Sequence, residues 1–267
     1  MGNPDSTPPA PPADAPVPET DDLGLDREFF LILARAPLLG LVWLAAGAAA
    51  HQIWAAFSPT GLNAGPLVVL CFGMVLAAFI DGWALKVPNW VTFPLILSGW
   101  MQGALHDFGV PIDAGTGGFL MSVAGTAVGF LLLFPMLAIG GVGVGDVKMQ
   151  MGFGAWVGAY FGSGATTAAV GLADLHALMV VFWGFAYGAL AGGAFGLVII
   201  FIRRQWGANA QMYREIGGDL VRFASGNAAE ASKRAEERRK KWVKLPYGIP
   251  LCVGFLLFLG QKLILEG

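Results

Sequence analysis

"FLLLFPMLAIGGVGVGDVKMQMGFGAW", residues 130–156, decides how this chain folds. Two oily runs are broken at their junction by Gly140, Gly141, Gly143 and Gly145, and directly after these glycines come Asp146 and Lys148. A charge next to a lipid-soluble run is costly, so an acid in that place is a functional candidate by default. Working outward, the whole 267-residue chain is 56% hydrophobic and only 13% charged, with a mean hydropathy of +0.65. That balance excludes an ordinary soluble domain and implies an integral membrane protein.

Runs near the roughly 20 residues that cross a bilayer fall at 37–57, 64–82, 90–106, 117–139, 147–166, 175–202 and 248–264. The expectation is therefore an all-α polytopic membrane protein with about seven transmembrane helices. Residues 1–28 are different material, with seven prolines and seven acidic residues, and are expected to form a disordered cytoplasmic tail. The acidic start lacks the basic region and cleavage site of a secretory signal. "MGNPDS" fits a myristoylation pattern, but the apolar spans already anchor the chain, and we read the match as chance. The expected organisation is thus the tail, a membrane domain of six helices over 29–202, a basic and partly helical cytoplasmic loop over 203–244, and a last helix within 245–267.

Lysine and arginine set the orientation, because basic loops stay on the cytoplasmic side. Of 16 basic residues, 11 lie between Arg203 and Lys244, while Arg27, Arg35, Lys86 and Lys148 alternate correctly with that loop. Lys262 alone dissents, and is expected to snorkel. This topology places Asp81, closing the second helix, and Asp146, opening the fifth, on one cytoplasmic boundary. Two carboxyls a few ångströms apart cannot both ionise cheaply, and such a pair can act as base and acid on a water attacking a peptide carbonyl. The dipole of its own helix favours charge on Asp146 and disfavours it on Asp81, so Asp146 is expected to be the ionised partner. The glycines are expected to break the helix, adopt dihedrals closed to other residues, and let a backbone approach the acid. Lys148 either tunes the pair, reaches a phosphate headgroup, or serves only as a positive-inside anchor.

With these residues in view, the chain resembles the type IV prepilin peptidase family. The likeness rests on "DGWALKVPNWVTF" at 81–93, which carries Pro88 and Asn89, on "GVGDVK" at 143–148, which carries Gly143 and Gly145, and on "KLPYGIPLCVGFLL" from Lys244. The resemblance implies a GxGD-class aspartyl protease that cuts the basic leader of a prepilin or pseudopilin at the cytoplasmic face of a bacterial or archaeal inner membrane. It implies Asp81 and Asp146 as the catalytic pair and no cofactor or metal. Bifunctional members carry a cysteine-rich zinc region and also methylate the new N-terminus; this chain has only Cys71 and Cys252, both in apolar runs, which implies the compact Tad/Flp-type form without methylation.

Other signals point to scaffold. Glycines recur every four residues at 154, 158 and 162 and at 184, 188, 192 and 196, a pattern that lets helices pack closely in lipid. In the basic loop, Glu236 with Lys240 and Glu237 with Lys241 are spaced to pair along a helix. That loop could hold anionic lipid headgroups, contact substrate or an assembly protein, or serve only as a topology determinant. His51, His106 and His176 are scattered toward the outer side, which argues against a metal site, and Ser163 with His176 lacks the longer pattern of a membrane serine protease. No P-loop or other nucleotide motif follows the glycines, and nucleic acid is not an expected partner. Two rivals stay open: a transporter or channel binding a cation or proton at the acids, and an inactive scaffold for pilus assembly.

Overall fold

The computed structural model describes residues 27–58, 63–84, 86–139, 141–163, 172–203 and 247–266, together with 214–215, 217–219, 221–222 and 225. Residues 1–26 of the acidic tail, the Glu–Lys pairs of the basic loop and Gly140 lie outside the described residues, while Arg27 and Glu28, expected to be the disordered end of the tail, open the first helix. Seven long helices and no strand occur among them: α1 (Arg27–Phe57), α2 (Gly65–Ala84), α3 (Asn89–Asp107), α4 (Phe119–Ala138), α5 (Val144–Phe161), α6 (Leu172–Arg203) and α7 (Gly248–Glu266). The chain is an all-α polytopic membrane protein.

Four helices, α1, α2, α4 and α6, are long and apolar enough to cross a bilayer on their own composition, and α7 is a shorter apolar helix. The reason α3 and α5 differ lies in their position. α5 is buried almost without interruption from Asp146 to Tyr160 and packs against α2, α3, α4, α6 and α7. A helix shielded by other helices has little lipid to satisfy, so it can carry Asp146, Lys148, Gln150 and a row of glycines. Helices at the perimeter show the opposite pattern, with Phe72, Phe79 and Trp83 of α2 and Leu190 and Phe201 of α6 facing outward.

Glycine is what lets α5 sit so deep. A Cβ on Gly154 would lie 2.1 Å from the Gly125 carbonyl oxygen of α4, and one on Gly125 would lie 2.1 Å from the Gly154 oxygen. A Cβ on Gly158 would lie 2.2 Å from the Met121 oxygen. On α6, Gly184 accommodates Phe255 and Phe153, and Gly188 accommodates Leu251 of α7. Both glycine faces are thus occupied within this chain, as a scaffold requires. Between them Phe153 and Phe255 stack at 4.0 Å and 8°, and Trp156 Nε1 donates to Leu95 O (3.0 Å) and Ser98 Oγ (2.9 Å) of α3.

Several expected boundaries move. α1 starts at Arg27, ten residues before the apolar run at 37, and takes Pro37 into its interior; hydropathy marks what lies in lipid, whereas a helix can run on past it. α5 ends at Phe161 with Gly162 as its C-cap, short of the expected 166, because nothing in composition announces that stop. Asp81 is not the closing residue of α2: Gly82, Trp83 and Ala84 continue the helix.

Candidate functional site

At one end of the bundle four chain segments converge: the last turn of α2, the link to α3, the start of α5 and the start of α7. Asp81 is 6% exposed and Asp146 5% exposed, and the two lie within electrostatic range of each other. The helix-forming pattern explains the Asp146 position. Gly143 is the N-cap of α5 with extended dihedrals, φ −80° and ψ 154°, and Asp146 is the third residue inside. From there its Oδ2 accepts the Gly143 N–H at 3.0 Å, satisfying one of the donors that every helix start leaves free. Its Oδ1 is buried and accepts no hydrogen bond among the described residues.

Asp81 is held in the same way by a different helix. Its Oδ2 accepts the N–H of Gly248 at 3.0 Å, and Gly248 is the first residue of α7. Each acid therefore receives one glycine N–H from a helix start. The dipole argument drawn from α2 and α5 alone is offset by this contact, since Asp81 meets the favourable end of α7 as well as the unfavourable end of its own helix.

The glycines before Asp146 act by size. Among the described residues the only glycine with positive φ is Gly109, so Gly141, Gly143 and Gly145 do not use the dihedrals expected of them. What Gly145 supplies is room: a Cβ there would lie 2.7 Å from Val87 Cβ, and the link between α2 and α3 rests directly on α5. Pro88 is the N-cap of α3, with Asn89 as that helix's first residue. Asn89 Oδ1 accepts from Lys148 Nζ at 2.8 Å, and the same ammonium lies 4.9 Å from the centre of the Phe93 ring, a cation–π distance. Lys86 also lies near enough for its charge to act on Lys148. All seven expected site residues, Asp81, Pro88, Asn89, Gly143, Gly145, Asp146 and Lys148, thus gather at this end of the bundle. Gly248 was not among them, and only its place after "PY" in the resemblance hinted at it.

At the opposite end of α3 a polar cluster was missed from sequence. His106 Nε2 bonds Asp113 Oδ1 at 2.8 Å and its Nδ1 meets Gly117 O at 2.8 Å, while Gln102 Nε2 donates to the other Asp113 oxygen. The cluster ties the loop after α3 to the bundle, and is structural. Lys262 does not snorkel: it is 8% exposed, with Nζ 2.8 Å from His176 Nε2 and 5.0 Å from the Phe161 ring centre. α7 turns this lysine toward α5 and α6, so an inward bond replaces the reach to the interface. Among the described residues no three histidine, cysteine, aspartate or glutamate side chains gather as metal ligands.

The all-helical bundle thus carries two buried carboxyls at one end. Residues 68–197 match the model of the type IV leader peptidase family, and this part of the chain, which carries both aspartates, belongs to that family. Membership of that family indicates a protease. No curated protein and no solved structure matches the chain.

Proposed function

We propose that this protein is an aspartyl endopeptidase of the GxGD class that removes the leader from prepilin or pseudopilin substrates at the cytoplasmic face of a bacterial or archaeal inner membrane, without methylating the product. One observation carries the reading: Asp81 and Asp146, from helices far apart in sequence, are both buried at one end of the bundle, each bonded by a single glycine N–H from a helix start. A buried pair of this kind holds one proton between two carboxyls.

The chemistry follows from that shared proton. The ionised carboxylate takes a proton from water as the water oxygen bonds to the scissile carbonyl carbon, and the protonated partner gives its proton to the carbonyl oxygen. Collapse of the resulting diol breaks the C–N bond: the proton taken from water passes to the departing amine, and the other aspartate, now ionised, takes back a proton from a diol hydroxyl as the new carboxyl group forms. Lys148, held by Asn89 and Phe93, fixes the α3–α5 register beside the pair. The basic segment 203–244 holds the orientation by the positive-inside rule, and is offered as a contact for anionic lipid.

The test is co-expression with a prepilin bearing a basic leader, read as a size shift on a gel. Wild-type protein is expected to process it, and Asp81→Asn and Asp146→Asn are each expected to abolish processing while accumulating normally in the membrane. Processing that survives either substitution would rule out the pair.

A further inference from the structure

We infer that Gly248 is a positioning residue for Asp81: its backbone N–H fixes the carboxyl for reaction, and its lack of a side chain is what brings that N–H into range. The inference rests on the reading of Asp81 as half of an acid–base pair and deepens it by assigning α7 a part in the site.

The geometry leaves little choice of residue. The hydrogen bond from Gly248 N to Asp81 Oδ2 is 3.0 Å and buried. A Cβ built on Gly248 would lie 2.8 Å from Asp81 Oδ2, 3.2 Å from its Cβ and 3.3 Å from its Cγ, so it would press on the whole carboxyl group. The helix start is regular, with Leu251 N–H closing on Tyr247 O at 3.2 Å, which leaves the Gly248 N–H free of any intrahelical duty. Asp81 cannot retreat easily, because it is in the last turn of α2 and the adjacent Gly82 already faces Ile249 of α7, where an added Cβ would meet Ile249 Cδ1 at 2.9 Å. The two neighbouring glycines differ in what they face: Gly248 faces the acid, whereas Gly82 faces the flexible end of an isoleucine.

That difference makes the experiment. Gly248→Ala keeps the N–H and adds the intruding methyl; Gly248→Pro also removes the donor, at a first helical position where proline is tolerated. Gly82→Ala perturbs the same α2–α7 crossing by pressing on the Ile249 side chain. Gly260→Ala, on α7 with open space around it, is the control. The readout is kcat and KM on a purified prepilin in detergent, per unit of protein that elutes as a single species.

Displacement of a catalytic group by a fraction of an ångström to 1 Å lowers kcat on the order of tens of fold. Gly248→Ala is expected to show that loss with KM little changed, Gly248→Pro at least as large a loss, Gly82→Ala a far smaller one and Gly260→Ala none. Wild-type kcat in Gly248→Ala overturns the inference, as does a loss confined to KM, or a kcat loss in Gly82→Ala equal to that in Gly248→Ala, which would mark helix packing as the cause. Gly248→Ala decides alone if the proline variant fails to accumulate. Asp81→Asn runs alongside: if it is inactive while Gly248→Ala is normal, only the positioning role falls, whereas an active Asp81→Asn removes the acid–base reading itself.

Discussion

Replacing Gly154 with alanine sets two backbones against each other at the centre of the molecule. The new methyl carbon would stand 2.1 Å from Gly125 O and 2.6 Å from Gly125 C. Neither atom belongs to a side chain that can rotate away, so α4 and α5 must part by roughly 1 Å before the contact becomes ordinary. Overpacking of this kind costs typically about 1–3 kcal/mol, and a backbone-on-backbone clash falls at the upper end. Alanine returns about 1 kcal/mol through its better helix propensity, leaving a net loss of about 2 kcal/mol. For a chain of this size each kcal/mol moves the midpoint by about 2–4 °C, so thermal unfolding in detergent is expected about 4–8 °C lower. The comparison is Gly193→Ala on α6, where a Cβ meets nothing within 4 Å and the helix should gain about 0.5–1 kcal/mol. The two variants are expected to shift in opposite directions. If Gly154→Ala melts as high as Gly193→Ala, close approach of α4 and α5 is not what seats the central helix.

Two further substitutions separate scaffold from chemistry. Lys148→Met keeps most of the stem but loses the bond to Asn89 Oδ1 and the contact with Phe93; a hydrogen bond from a charged donor contributes about 1.5–3 kcal/mol, and the melt should fall accordingly, with cleavage reduced but not abolished. Trp156→Phe deletes the donor to Leu95 O and Ser98 Oγ, and is expected to lower stability by about 1–2 kcal/mol while leaving kcat per folded molecule unchanged in the prepilin assay.

The helices were legible because lipid leaves so few options: long apolar runs had to be helical. The glycine faces were legible for a related reason, since only close packing rewards a small residue every fourth position, and Gly154 and Gly188 are used in that way. What sequence could not show were contacts between distant residues. The Gly248 donor to Asp81 is separated from it by 167 positions, and no local pattern predicts such a pairing. His106 and Asp113 are only 7 apart, but they straddle a helix end, where spacing says nothing about direction. Lys262 was misjudged because snorkelling assumes an outward-facing side chain, and the facing of α7 is set by its contact with α6. The glycines before Asp146 were read for unusual dihedrals, when at Gly145 the constraint is the width of Val87.

The bond between Asp81 and Gly248 has a consequence for biosynthesis. The chain emerges from the ribosome in order, so α2 and α5 are made and inserted long before α7 exists, and until then Asp81 lacks the amide that grips it. The grip on Asp81 is therefore completed only when α7 has been translated, and a nascent chain that already holds both aspartates still lacks it.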